Sequence, residues 1–131
     1  MINWLPGLIK FEDYDNIWDR YLEVLYEAFK ADFVYARPTF RGRKLGLKKH
    51  PKIRGKEATF WHFIQEGKIE SNRYPNIRRC ERIKWPSPII EHEKTDFVYV
   101  WENERSGKRR ILLYLVQENY LVVLAIRKGY I

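Results

Sequence analysis

Apolar residues recur at helical spacing between residues 12 and 31. Trp18, Tyr21, Leu22, Leu25, Tyr26 and Phe29 fall on one stripe, which Ile17, Val24 and Ala28 widen. This spacing predicts an amphipathic helix, with Asp13 or Asp15 as its cap. A short turn or helix is expected before it, at residues 3–10. From residue 33 to 56 the period is lost, and Pro38, Gly42, Gly46, Pro51 and Gly55 punctuate the chain. A long loop with at most short strands is expected there. Phe60, Trp61 and Ile64 then fit a helix over residues 56–66, with Gly67 as its C-cap. Residues 68–78 read as a loop with a turn at Pro75-Asn76.

The second half carries strand patterns. Residues 80–85 read as a strand ended by Pro86 and Pro88. Phe97, Tyr99 and Trp101 alternate with Val98, Val100 and Glu102, and Ser106-Gly107 marks a hairpin turn. Residues 111–116 and 121–126 are nearly continuous apolar runs joined by a tight turn at Glu118-Asn119. Such runs suggest strands covered on both faces or central in a sheet. The expected fold is α+β: N-terminal helices packed on an antiparallel sheet of about four strands. One domain over residues 1–131 is expected, helical over 1–32, a loop over 33–56, and helix plus sheet over 57–131.

Charge changes this picture at one place. The chain has 25 Lys and Arg against 17 Asp and Glu, a formal charge of +8. Nine of the cations lie between Arg37 and Lys56, where there is no acid, so the remainder is close to neutral. A concentrated excess creates a local positive potential that attracts polyanions. The stretch reads as a surface for a phosphate-rich partner, above all RNA; the competing reading is a solvated basic loop without a ligand. The single cysteine, Cys80, excludes an internal disulfide, and the Cys and His spacing shows no zinc pattern. No apolar run approaches the ~20 residues that span a bilayer. Residues 1–6 lack the basic and apolar regions of a signal peptide, so the cytoplasm is expected. No phosphate-binding glycine motif or HExxH motif is present.

The segment RRILLYLVQENYLVVLAIRKGYI resembles the sheet of RelE-like small RNA-cleaving toxins, members of the barnase–EndoU–colicin–RelE group. The blocks GKEATFWHFI and RRCERIKW look like a phage- or prophage-type branch of that group, and the resemblance spans residues 37–131. It implies a RelE/barnase-like sheet and a toxin-type endoribonuclease that cleaves by attack of a ribose 2′-OH on the adjacent phosphorus. It implies no metal and no cofactor. It also implies an antitoxin partner and a last strand that continues past RKGYI to a further site residue.

Such cleavage needs proton-transfer groups and cations on the phosphorane. His62 is the first candidate for proton transfer, its unperturbed pKa near ~6.5 suiting either role. It reads equally as a structural histidine in an aromatic cluster. In the expected strand, Arg79 and Glu81 share a face, Arg79 for the phosphate and Glu81 as base or as orienter of an arginine. Cys80 and Arg82 share the other face, and Arg82 also fits a surface ion pair. Arg43, Lys44, Lys48, Lys49, His50 and Lys52 are candidates for RNA contact, and Trp61, beside the basic stretch, for base stacking. The same features fit a non-catalytic nucleic-acid-binding module or an interaction subunit.

Overall fold

The structure is a computed structural model that describes residues 2–66 and 74–126. It is mixed α+β, with helices and antiparallel sheets, and it divides into two compact units. One unit takes Pro6–Ala36 and Leu47–Lys84; the other takes Met1–Leu5, Arg37–Gly46 and the chain from Trp85.

The first unit is helical. A 3-10 turn at Phe11–Tyr14 precedes α1 (Trp18–Lys30), which runs into a π turn at Ala31–Tyr35. The expected stripe is the buried face: Tyr21, Leu22, Leu25 and Phe29 are buried. No aspartate caps the helix. Asp15 and Asn16 take left-handed backbone (φ 58° and 55°), and Asp15 instead accepts a 2.7 Å ion pair from Arg20. The N-cap position falls to Ile17. Against α1 packs α2 (Ala58–Ile64), through Phe29–Phe60 and Phe29–Phe63 edge contacts at 5.4 and 5.9 Å. Strand β3 (Gln65–Glu66) pairs with β4 (Tyr74–Pro75), and α3 (Ile77–Glu81) follows. The C-cap expected at Gly67, and much of the loop expected at 68–78, lie outside the described residues.

Residues 80–85 are not a strand. The Asn76 side chain accepts a 3.1 Å hydrogen bond from the Arg79 amide, which caps α3 and commits the following residues to a helical turn. Pro86 then opens α4 (Pro86–Glu91) from its first position, where the missing N–H costs nothing, rather than closing a strand. The expected fourth strand is therefore absent from the sheet.

The second unit is built on a three-stranded antiparallel meander of β5 (Val98–Arg105), β6 (Lys108–Leu115) and β7 (Tyr120–Ala125). Ser106-Gly107 forms the expected hairpin, and Asn119 (φ 49°) the expected tight turn. One sheet face carries Val98, Leu113, Leu115, Tyr120 and Val122 into the core, with Trp85 meeting Tyr120 edge-on at 5.4 Å. β6 is central, as its apolar run implies. β7 is an edge strand, and its outward residues Leu121 and Val123 are exposed. A small hairpin of β1 (Thr39–Phe40) and β2 (Arg43–Lys44) completes the unit, with Phe40 buried.

Two further tight turns share one geometry. Arg41-Gly42 (φ 50° and 81°) and Arg54-Gly55 (φ 54° and 74°) both place two consecutive residues at positive φ. That is the arrangement the type I′ turn of two-residue hairpins requires, and glycine supplies the second position without strain.

Candidate nucleic-acid interface

The basic stretch is divided between the two units. In the helical unit, residues 47–56 form a loop fastened to α2 at three places. The Lys48 carbonyl accepts from the Thr59 amide at 3.0 Å, and the Lys48 amide donates to Thr59 Oγ1 at 2.8 Å. The Lys49 carbonyl accepts from the Ala58 amide at 3.2 Å. Farther along, Ile53 and Lys56 exchange backbone hydrogen bonds of 3.1 and 3.0 Å around Arg54-Gly55, and the Trp61 indole N–H donates to the Ile53 carbonyl at 3.1 Å. The backbone's polar groups are thus engaged by α2, while Lys48, Lys49, His50, Lys52 and Arg54 are exposed. Among these, Lys48, Lys49, Lys52 and Arg54 have no ion-pair partner among the described residues.

Lys56 does not join them. Its ammonium is 2.8 Å from Glu23 and 5.0 Å from the Tyr26 ring centroid, and the residue is buried. Beside it, Tyr26 donates to Glu57 at 2.5 Å; burial, then that carboxylate, pushes the phenol up to about 12.

Trp61 is an anchor rather than a stacking platform. It is 6% exposed, meets Phe60 edge-on at 5.3 Å, and its N–H is taken by Ile53. His62 is half-buried on the next position of α2, on the same helix face as Thr59 three residues earlier.

The Arg79–Arg82 group lies on α3 and just beyond it, so the alternating faces expected of a strand do not apply. The Arg79 guanidinium donates to the Gln65 carbonyl. The Asn76 amide donates to the Ile64 carbonyl at 2.8 Å, and the Cys80 thiol lies 3.9 Å from the same oxygen. These contacts dock α3 on the end of α2. Arg82 pairs with Glu81 at 3.3 Å and donates to the Arg78 carbonyl at 3.2 Å; both side chains are mostly buried. Glu81 is thereby committed to Arg82, not aligned with Arg79. Cys80 is fully buried, and burial, then the neighbouring Glu81, pushes its thiol up to about 12, so little thiolate exists at neutral pH.

In the sheet unit, Arg37 donates to the Leu45 carbonyl at 3.2 Å. Arg41 stacks over Phe40 at 4.8 Å and pairs with Glu93 at 3.3 Å. Lys44 is exposed. Arg43 lines an open groove of about 670 Å³ with Arg41, Phe40, Glu102, Arg109 and Ile111. Arg109 is 2.8 Å from Glu102, so paired charges line much of this groove.

Trp61, the aromatic candidate beside the basic stretch, is buried, whereas the exposed aromatic side chains of the three-stranded sheet are Tyr99 and Trp101. Their alternation with Val98 and Val100 was visible, but both sets are apolar, so the pattern did not say which faces outward. Among the described residues, no group of three or more His, Cys, Asp or Glu is placed to hold a metal ion, and no helix is long and apolar enough to cross a membrane. No family model, curated protein or solved structure matches the chain.

Proposed function

We propose that this chain binds RNA through the exposed cations of residues 48–54. The observation that carries the reading is that Lys48, Lys49, Lys52 and Arg54 project from a loop whose backbone is fastened to α2, while no acid among the described residues neutralises them. A held loop lowers the ordering cost of binding. Its cations, each displacing a condensed counterion from a phosphate, make affinity fall with salt. Titrating labelled RNA at several salt concentrations tests this. Affinity that falls steeply with salt, and weakens when the four cations are changed to Gln, is the expected result. Salt-independent or absent binding overturns it.

Cleavage of that RNA is a second reading, favoured by one observation: the loop is fastened to the helix that carries His62, and Thr59, which binds Lys48, shares its face. It would make the chain a metal-independent endoribonuclease of toxin type with a RelE/barnase-like sheet, acting in the cytoplasm and restrained by an antitoxin. His62 would transfer the proton. Arg79, Glu81 and Arg82 support it less, because their contacts with the protein hold α3 in place. Fragments with 2′,3′-cyclic ends in the presence of EDTA, lost in His62→Ala, would establish cleavage. Binding without fragments leaves the chain a binding module.

A further inference from the structure

The three-stranded meander has two unlike faces. One faces the core. On the other, alternation along β5 brings Tyr99, Trp101, Asn103 and Arg105 to the same side. The β5–β6 register sets Lys108 opposite Arg105, Arg110 opposite Asn103, and Leu112 opposite Trp101. Tyr99 is 64% and Trp101 44% exposed, so two aromatic side chains stand open at backbone positions about 7 Å apart along one strand. Arg110 Nε donates to Asn103 Oδ1 at 3.1 Å, which fixes one guanidinium on this face. Arg105 and Lys108 are exposed beside it and have no ion-pair partner among the described residues.

Charge is sorted between the faces. Glu102 and Glu104 occupy the alternate positions of β5 and point to the opposite side, where Glu102 takes Arg109. The outer face of β5 and β6 therefore holds three cations and no acid. Open aromatic rings next to an uncompensated cationic cluster match an unpaired nucleic-acid strand: bases stack on the rings and phosphates meet the cations. A duplex hides its base faces and gains nothing from the rings.

We propose that this face is a second RNA contact, specific for single strands, with Tyr99 and Trp101 each taking one base and Arg105, Lys108 and Arg110 holding the adjoining phosphates. The inference rests on the reading that the chain binds RNA and adds the form of RNA it selects. It does not use the 48–54 loop.

The test compares a fluorescein-labelled oligouridine strand with a duplex RNA carrying the same number of phosphates, by anisotropy at fixed salt. Trp101→Ala and Tyr99→Ala should each weaken oligouridine binding about tenfold, since a stacked base is worth about 1–3 kcal/mol. Trp101→Phe should restore most of it, and duplex binding should not change. Thermal melting checks each variant; should Trp101→Ala not fold, the more exposed Tyr99→Ala decides. Unchanged oligouridine affinity in a folded ring variant overturns the proposal. So does equal loss for strand and duplex. If wild-type chain sediments as a dimer that Trp101→Ala dissociates without changing RNA affinity, the face is a self-interface and the proposal fails. Neutralising Lys48, Lys49, Lys52 and Arg54 separates the two ideas. If that variant alone loses RNA, the sheet face is wrong and the loop is right; if only the ring variants lose it, the loop is wrong.

Discussion

Residues 48–54 and residues 78–82 are both rich in Lys and Arg, and they use their cations in opposite ways. In the loop, backbone groups bind α2 and the charged side chains are left to solvent. Around α3 the side chains themselves make the attachments: Arg79 to the Gln65 carbonyl, Arg82 to Glu81 and the Arg78 carbonyl. Arg79 and Arg82 are part-buried, and to meet a phosphate they must leave the contacts that hold them against the protein. An exposed ammonium gives up only water. This difference is why the proposed RNA contact is placed at the loop and not at α3, although the two segments look alike in composition.

Substitutions in the two regions should therefore fail differently. The largest effect is expected at the anchor beneath the loop: Trp61→Ala removes a buried indole and should cost about 3–5 kcal/mol in chemical denaturation. A cost under 1 kcal/mol would return Trp61 to the list of stacking residues. Arg79→Ala should cost about 1–3 kcal/mol, because it leaves the part-buried Gln65 carbonyl without its donor. RNA affinity of the folded variant should hold.

Alkaline pH provides a more gradual test of the packed region. The Cys80 thiol and the Tyr26 phenol are both raised by burial, from ordinary values of 9.0 and 10.0 to about 12. Their unfolded forms ionise first, so the unfolded state loses protons while the folded state keeps them. Stability should be level below pH 9 and fall between pH 9 and 12. Cys80→Ala should flatten the first part of that fall; an unchanged curve would mean that the thiol is not sequestered. The smallest effect on stability is expected in the loop, where Lys49→Ala should stay within about 0.5 kcal/mol of wild type.

Much of the fold was legible because its signals were local. The 3.6-residue stripe of α1, the Ser106-Gly107 hairpin and the turn at Asn119 each follow from a few adjacent residues. Residues 80–85 depart from the expected strand for a physical reason. Their apolar residues fit a short strand, and the decisive signal was the Asn76 cap, upstream of the segment. Gly42 and Gly55 mark breaks in the chain, but the Arg-Gly turns themselves are weakly signalled, because arginine is an unusual first residue for a positive-φ pair. At the candidate site, the loop's charge was legible and its fastening was not. That fastening depends on Thr59 and Trp61, residues whose side chains reach back to Lys48 and Ile53. Trp61 and Trp101 show the same limit: composition marks both as aromatic, and only the packing shows which ring is open.

The most direct test of the contrast between loop and helix is the salt dependence of single-stranded RNA binding, measured side by side for three proteins. For single strands the slope of log affinity against log salt is about −0.7 per phosphate neutralised. Changing Lys48, Lys49, Lys52 and Arg54 together to Gln should make the slope shallower by about 3. Arg79→Ala should leave it at the wild-type value. A loop variant with the wild-type slope, or an Arg79 variant with a flattened one, would contradict the assignment of RNA contact to the loop.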